Sequence, residues 1–200
     1  MGVEHNLKIK PKFFTLDSNR TPVVLDGRHT AVVIVDADQV NECFERASEK
    51  IRLDDFDYVL VNATGGWFTY YKLAKLQNYQ GQPIEIEVHR PAEGYGAIVK
   101  KGIPDFIKNN PDADILVIDD IEDTGGVLAN IMEGFTNAVA LVAVRKRDVP
   151  NRIQANGQIE SIIEIPNKYW AFGLGMNADT EGDGWQKNFG RDFPCLMVKL

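Results

Sequence analysis

Cysteine is scarce in this sequence. Only Cys43 and Cys195 occur in 200 residues, and their separation matches no metal-ligand spacing. A disulfide framework and a structural zinc site are therefore excluded as the source of stability, and a reducing compartment is implied. Positive charge is also in deficit: 22 Lys and Arg stand against 29 Asp and Glu, for a net charge of −7. Such a field repels phosphates at long range, which argues against broad nucleic-acid binding or attachment to anionic membranes. No apolar stretch approaches the ~20 residues of a membrane span, and the opening MGVEHNLKIKPK has no run long enough for a signal peptide. A cytoplasmic protein is expected. No internal repeat or low-complexity tract is present. About half of the residues are apolar or Gly, so a chain of this length can bury a large core as one domain.

Short apolar runs bounded by turn residues alternate with segments of helical period. Val32 to Val35, Tyr58 to Val61, Ile84 to Val88, Ile115 to Ile118 and Val139 to Val144 read as strands. Several are continuous rather than alternating, as expected for parallel strands covered on both faces. Val40, Cys43, Phe44, Ala47 and Ile51 form one stripe of a helix that Asp38 is placed to cap. Helical spacing returns at Phe68, Leu73, Ala74 and Leu76, and again at Val127, Leu128, Ile131, Met132 and Phe135. The fold class expected is α/β: an open, mostly parallel sheet with helices on both faces, its core at about residues 30–145. The N-terminal segment and residues from about 146 to 200, with the Gly/Asp-rich run NADTEGDGW, are expected to form a small hood.

The most informative segment is Ile115-Leu116-Val117-Ile118-Asp119-Asp120-Ile121-Glu122-Asp123-Thr124-Gly125-Gly126. Four consecutive aliphatic residues cannot all face water, so a buried strand should carry Asp119, Asp120 and Asp123 to its carboxyl end. In open α/β sheets that edge is where ligands bind. The following Thr-Gly-Gly opens a helix, where unpaired amides and the local dipole favour an anion. Carboxylates just before an anion cradle suit a ligand that carries hydroxyls or a metal beside its phosphate, such as a sugar phosphate with Mg²⁺. The residues alone also admit a solvated acidic loop and a plain tight turn.

This segment resembles the signature by which type I phosphoribosyltransferases bind 5-phosphoribosyl 1-diphosphate (PRPP): an aliphatic run, two acids, then Asp-Thr-Gly. The resemblance implies that Asp119 and Asp120 hold the ribose hydroxyls and, through water, Mg²⁺. It implies that the turn Asp123, Thr124, Gly125, Gly126 and Val127 binds the 5′-phosphate. Val59-Leu60-Val61-Asn62-Ala63-Thr64-Gly65-Gly66-Trp67-Phe68 is similar to the family's diphosphate loop. There Gly65 and Gly66 would let the backbone approach the diphosphate closely or adopt a strained peptide. Thr64 stands where purine-using members have Lys, and Val127 where most have Thr or Ser.

The C-terminal half narrows the resemblance to hypoxanthine-guanine phosphoribosyltransferases, in a divergent form. Val142-Ala143-Val144-Arg145-Lys146-Arg147 ends a strand in a basic run, and Ile165-Pro166-Asn167-Lys168-Tyr169-Trp170 precedes Gly190-Arg191-Asp192-Phe193. Arg145 occupies the place of the Lys that recognises the 6-oxo group of the purine. Tyr169 would stack on the base with Trp170 beside the purine edge, and Arg191 would contact the pyrophosphate. The family's Mg²⁺-binding Asp near the end is absent from Gly173-Leu174-Gly175-Met176-Asn177, leaving Asp179, Glu181 or Asp183 as substitutes.

The implied reaction transfers the phosphoribosyl group of PRPP to a purine base, releasing pyrophosphate and leaving a nucleoside 5′-monophosphate. Asp123 is the general-base candidate, and the stretch from His89 to Gly102 the candidate lid. A homodimer or homotetramer, with no nucleic-acid or membrane partner, is the implied state. Two alternatives remain. One is a non-catalytic PRPP or nucleotide sensor that keeps the fold. The other is a phosphatase of the haloacid-dehalogenase type, because Val32-Val33-Ile34-Val35-Asp36-Ala37-Asp38 resembles its nucleophile motif.

Overall fold

A computed structural model describes residues 41–63, 65–89 and 97–164 with their side chains, together with the backbone of several flanking segments. These flanking segments include the strands β1 (Val24–Leu25), β2 (Arg28–His29) and β3 (Val32–Val35). Helix α1 (Ala37–Lys50) follows, so Asp38 falls within its first turn and does not precede it. After one turn of 3-10 helix at Leu53–Asp55 come β4 (Tyr58–Asn62), α2 (Gly66–Gln77), β5 (Ile84–His89) and β6 (Ile98–Lys101). The short α3 (Asp105–Lys108) leads to β7 (Asp114–Glu122), α4 (Gly126–Met132), β8 (Asn137–Arg147) and β9 (Gln158–Pro166). Two late strands are β10 (Trp170–Phe172) and β11 (Leu196–Lys199).

The main sheet has six strands in the order β6-β5-β4-β7-β8-β9. All neighbours are parallel except the edge pair β5 and β6, which is antiparallel. Alternation along each strand divides the core into two layers. Val59 and Val61 of β4, Leu116 and Ile118 of β7 and Leu141 of β8 pack with Phe44 of α1 and Tyr70 and Leu73 of α2. Leu60, Ile115, Val117, Ala140 and Val142 face Ile107 of α3 and Leu128, Ile131 and Met132 of α4. The central strands are apolar on both sides, which is why they read as continuous runs. Each fully buried Leu, Ile or Phe in these layers contributes roughly 1.5–3 kcal/mol by leaving water. Gln77 ties α2 to α1 and to the turn that follows it, donating to the Ser48 carbonyl at 3.2 Å and the Ile51 carbonyl at 2.6 Å and accepting from the Leu53 amide at 2.8 Å.

Two features differ from the sequence reading. Val32–Val35 is a strand, but it pairs antiparallel with β11 in a separate three-stranded sheet of order β10-β11-β3. An aliphatic run specifies an extended, buried segment and leaves its partner open. The main sheet also continues to Pro166, beyond the boundary near 145 set for the core. Among the described residues, no helix is long and apolar enough to cross a membrane.

Candidate functional site at the carboxyl edge of the sheet

β7 does not stop at Ile118. It carries Asp119, Asp120 and Glu122 within the strand, and pairing with β8 continues to Glu122 opposite Arg145. Alternation sends the two aspartates to opposite faces. Asp119 follows Ile115 and Val117 towards α4, and Asp120 follows Leu116 and Ile118 towards α2.

Asp119 is buried and held from both sides. Its Oδ2 accepts from Asn62 Nδ2 at 3.1 Å, and its Oδ1 accepts from the Asp120 amide at 2.9 Å. Asn62, the last residue of β4, also clasps β5: its Nδ2 donates to the Val88 carbonyl at 3.0 Å and its Oδ1 accepts from the Val88 amide at 2.9 Å. Burial, and then the neighbouring Asp120 carboxylate, push the Asp119 carboxyl well above the usual carboxylate range. Asp120 is half-buried and accepts from the Ile121 amide at 2.7 Å.

The β4–α2 turn lies directly over this acid pair. A Cβ on Gly65 would collide with the Asp120 carboxylate and come within 2.5 Å of Asp120 Cβ. A Cβ on Gly66 would come within 2.5 Å of the Ile118 carbonyl oxygen. Gly65 has φ −80 and ψ −35, an ordinary helical conformation. These glycines are therefore needed for space against β7, while the peptide that joins Thr64 to Gly65 lies outside the described residues. Thr69 of α2 secures the contact, its Oγ1 donating to the Asp119 carbonyl at 3.3 Å.

On the other side, Asp123 Oδ1 lies 3.2 Å from the Nζ of buried Lys146. Gly125 begins the turn into α4 with φ +83, which favours glycine. The space for its Cβ is taken by the Ile153 carbonyl, and the Ile153 amide donates to the Thr124 carbonyl at 2.8 Å. The first amides of α4, including those of Gly126 and Val127, have no intrahelical acceptor.

The structure thus brings together Gly65, Gly66, Asp119 and Asp120, and places Asp123, Thr124, Gly125, Gly126 and Val127 at the adjoining strand end. Arg145 points elsewhere: its Nε is 2.6 Å from Glu122, whose side chain is fully buried. Thr64, Tyr169, Arg191, Asp179, Glu181 and Asp183, and the side chain of Trp170, lie outside the described residues, as does half of the candidate lid (residues 90–96). Sequence reasoning missed Asn62, Glu122, Lys146 and Arg152. Asn62 had a signal in its position between a strand and a Gly-Gly turn, and Lys146 in its basic run. Arg152 had none, since its partners are remote. A shallow cavity lined in part by Cys43, Lys50, Leu141 and Glu160 lies between α1 and β8–β9, against the amino-terminal half of β9 and away from this edge.

No family model matches the chain, and no curated protein matches it. Solved structures do. A hypoxanthine-guanine-xanthine phosphoribosyltransferase superposes with a TM-score of 0.51 at 15% identity, covering 80% of this chain and 89% of that one. The chain has the type I phosphoribosyltransferase fold. A purine phosphoribosyltransferase from Pyrococcus horikoshii matches 66% of this chain and 85% of its own, at 17% identity and a TM-score of 0.47. A hypothetical protein from Neisseria gonorrhoeae with bound ppGpp matches 66% and 82%, at 15% identity and a TM-score of 0.49. In the phosphoribosyltransferase fold of this chain, the acid pair of β7 and the two glycine turns share one edge of the parallel sheet.

Proposed function

We propose that the chain transfers the 5-phosphoribosyl group of PRPP to a purine base, giving a nucleoside 5′-monophosphate and pyrophosphate. The observation that carries this reading is the packing of Gly65 against Asp120. That contact joins the turn suited to a diphosphate and the acids suited to a ribose at one place.

In the proposed reaction the anomeric C–O bond breaks, positive charge builds on the ribose, and a purine ring nitrogen forms the new bond. Asp119 and Asp120 hold the ribose hydroxyls, and the amides at Gly125 to Val127 hold the 5′-phosphate. The amides at Gly65 and Gly66, with Arg191, receive the leaving diphosphate. Asp123 accepts the proton that the purine nitrogen loses. Lys146 is positioned beside Asp123, whereas Arg145 is engaged by Glu122, so the cation proposed for the 6-oxo group is Lys146. Its hydrogen bond would discriminate against 6-aminopurines.

The acid pair also fits Mg²⁺ held through water. Burial first and the neighbouring Asp120 carboxylate second raise the Asp119 carboxyl, and a cation beside the pair would offset both. Mg²⁺ commonly takes only one or two protein carboxylates, with phosphates and water completing its shell. When bound it would neutralise charge on the departing diphosphate.

The phosphatase alternative loses its footing, because Val32–Val35 lies outside the sheet that carries Asp119 and Asp120. The test is pyrophosphate release from PRPP and Mg²⁺ with hypoxanthine, guanine, xanthine, adenine and uracil in turn. Release with one or more 6-oxopurines supports the reading. Tight PRPP binding with silence across all five bases would replace it with a non-catalytic sensor.

A further inference from the structure

One group of charges takes no direct part in the proposed reaction. The Glu122 side chain, with no exposed surface, lies between two guanidinium groups: Arg145 Nε at 2.6 Å and Arg152 Nη1 at 2.6 Å. Among the described residues, neither Glu122 oxygen nor Arg152 Nη1 has an aligned hydrogen bond, so charge holds the cluster together. Well-packed hydrophobic residues commonly serve stability as well as a buried ion cluster does. What sets this cluster apart is the set of segments it holds.

Arg152 comes from the β8–β9 connection and makes a second contact, its Nη2 donating to the Lys146 carbonyl. Lys146 is the residue whose ammonium meets Asp123. The next residue, Ile153, donates its amide to Thr124 and fills the space behind Gly125. Residues 152 and 153 thus bind the end of β7 to the end of β8 at three points: Glu122, Thr124 and Lys146.

We infer that Arg152, oriented by Glu122, is a positioning residue for the base-side half of the transfer reaction. Its planar fork spans Glu122 and the Lys146 carbonyl, and so fixes the Lys146 ammonium opposite Asp123. A guanidinium is required because two terminal nitrogens in one rigid plane make both contacts, and an ammonium on a flexible stem does not. This inference rests on the proposed roles of Lys146 and Asp123. The ligand class it governs is a purine that presents an oxo group, free or as its nucleotide. The diphosphate and ribose lie against other residues and should be spared.

The variant that tests this is Arg152→Lys, which keeps a cation beside Glu122 but has only one terminal nitrogen. The full chain is titrated calorimetrically with GMP and, separately, with PRPP, and its thermal midpoint is recorded. GMP affinity is expected to fall about tenfold, a loss of ~1.4 kcal/mol. PRPP affinity should stay within about twofold, with a midpoint shift of no more than about 2–4 °C. Glu122→Gln, which removes the orienting charge, should reproduce the split. In the Arg152→Lys background, a further Lys146→Ala change should cost less GMP affinity than it does in the wild type, because the lysine is already misplaced. Wild-type GMP affinity in Arg152→Lys, equal losses for GMP and PRPP, or strictly additive Lys146→Ala losses would overturn the inference and leave the transferase reading standing. A wild-type chain that binds neither GMP nor PRPP would overturn both.

Discussion

Gly65→Ala is the perturbation whose consequence is most fully determined by the geometry. Gly65 has ordinary helical dihedrals, so alanine meets no backbone penalty there, and the whole effect is steric. The new methyl would overlap the Asp120 carboxylate and lie 2.5 Å from Asp120 Cβ, well inside van der Waals contact. Either the β4–α2 turn lifts away from β7, or Asp120 leaves its place and its bond to the Ile121 amide. Overpacking of this kind costs about 1–3 kcal/mol. For a chain of this size that is a fall of roughly 2–12 °C in thermal midpoint, at ~2–4 °C per kcal/mol. The diagnostic arm is a double-mutant cycle read by urea denaturation. Asp120→Ala should relieve little of the penalty, because its Cβ remains at 2.5 Å, whereas Asp120→Gly should relieve most of it. PRPP affinity should drop in Gly65→Ala for the same reason, since the acid it displaces is one proposed to hold the ribose. Stability of Gly65→Ala within about 0.3 kcal/mol of wild type, or additivity with Asp120→Gly, would refute the packing argument.

Other expectations concern the same edge. Because burial and Asp120 raise the Asp119 carboxyl, the folded state retains a proton that the unfolded chain releases. The associated stability is fully present below about pH 4, the unfolded value, and is lost as pH rises towards the folded value. Urea midpoints of wild type minus Asp119→Asn should therefore decline from pH 4.5 to 8, and parallel profiles would contradict the assignment. Glu122→Ala leaves two guanidiniums without their carboxylate and should destabilise by about 3–5 kcal/mol in chemical denaturation. Asp123→Asn should cut turnover by ~10²–10⁴-fold with little change in PRPP affinity, as measured by pyrophosphate release and calorimetry, if Asp123 is the general base.

Much of the architecture was legible because the central strands are apolar on both faces. Val59, Leu60 and Val61 send alternate side chains into two different core layers, and Ile115 to Ile118 do the same, so the runs are unbroken. Val32 to Val35 has the same character but belongs to another sheet, because composition marks extended structure without naming its neighbour. β6, with Ile98, Val99, Lys100 and Lys101 all exposed on an edge, offered no such run. The length of β7 was hidden by its charges. A buried strand delivering acids to its end was legible, but its continuation to Glu122 was not, because the groups that meet Asp119, Asp120 and Glu122 are Asn62, local amides, Arg145 and Arg152. The Gly-Gly pair was visible as a turn, but its cause was not, since the atoms that forbid a Cβ there belong to β7 more than fifty residues on. Pairwise contacts between strands leave no trace in local pattern, and they decided which cation of the Arg145-Lys146-Arg147 run stands beside Asp123.

A crystal structure of the chain grown with GMP, or with PRPP and Mg²⁺, decides whether the carboxyl end of β7 and the two glycine turns grip a phosphorylated ribose. The ribose hydroxyls are expected at Asp119 and Asp120 and the 5′-phosphate against the amides from Gly125 to Val127. Ligand density in the cavity between α1 and β9, or a GMP-saturated crystal with the β7 edge occupied by water alone, would contradict that placement.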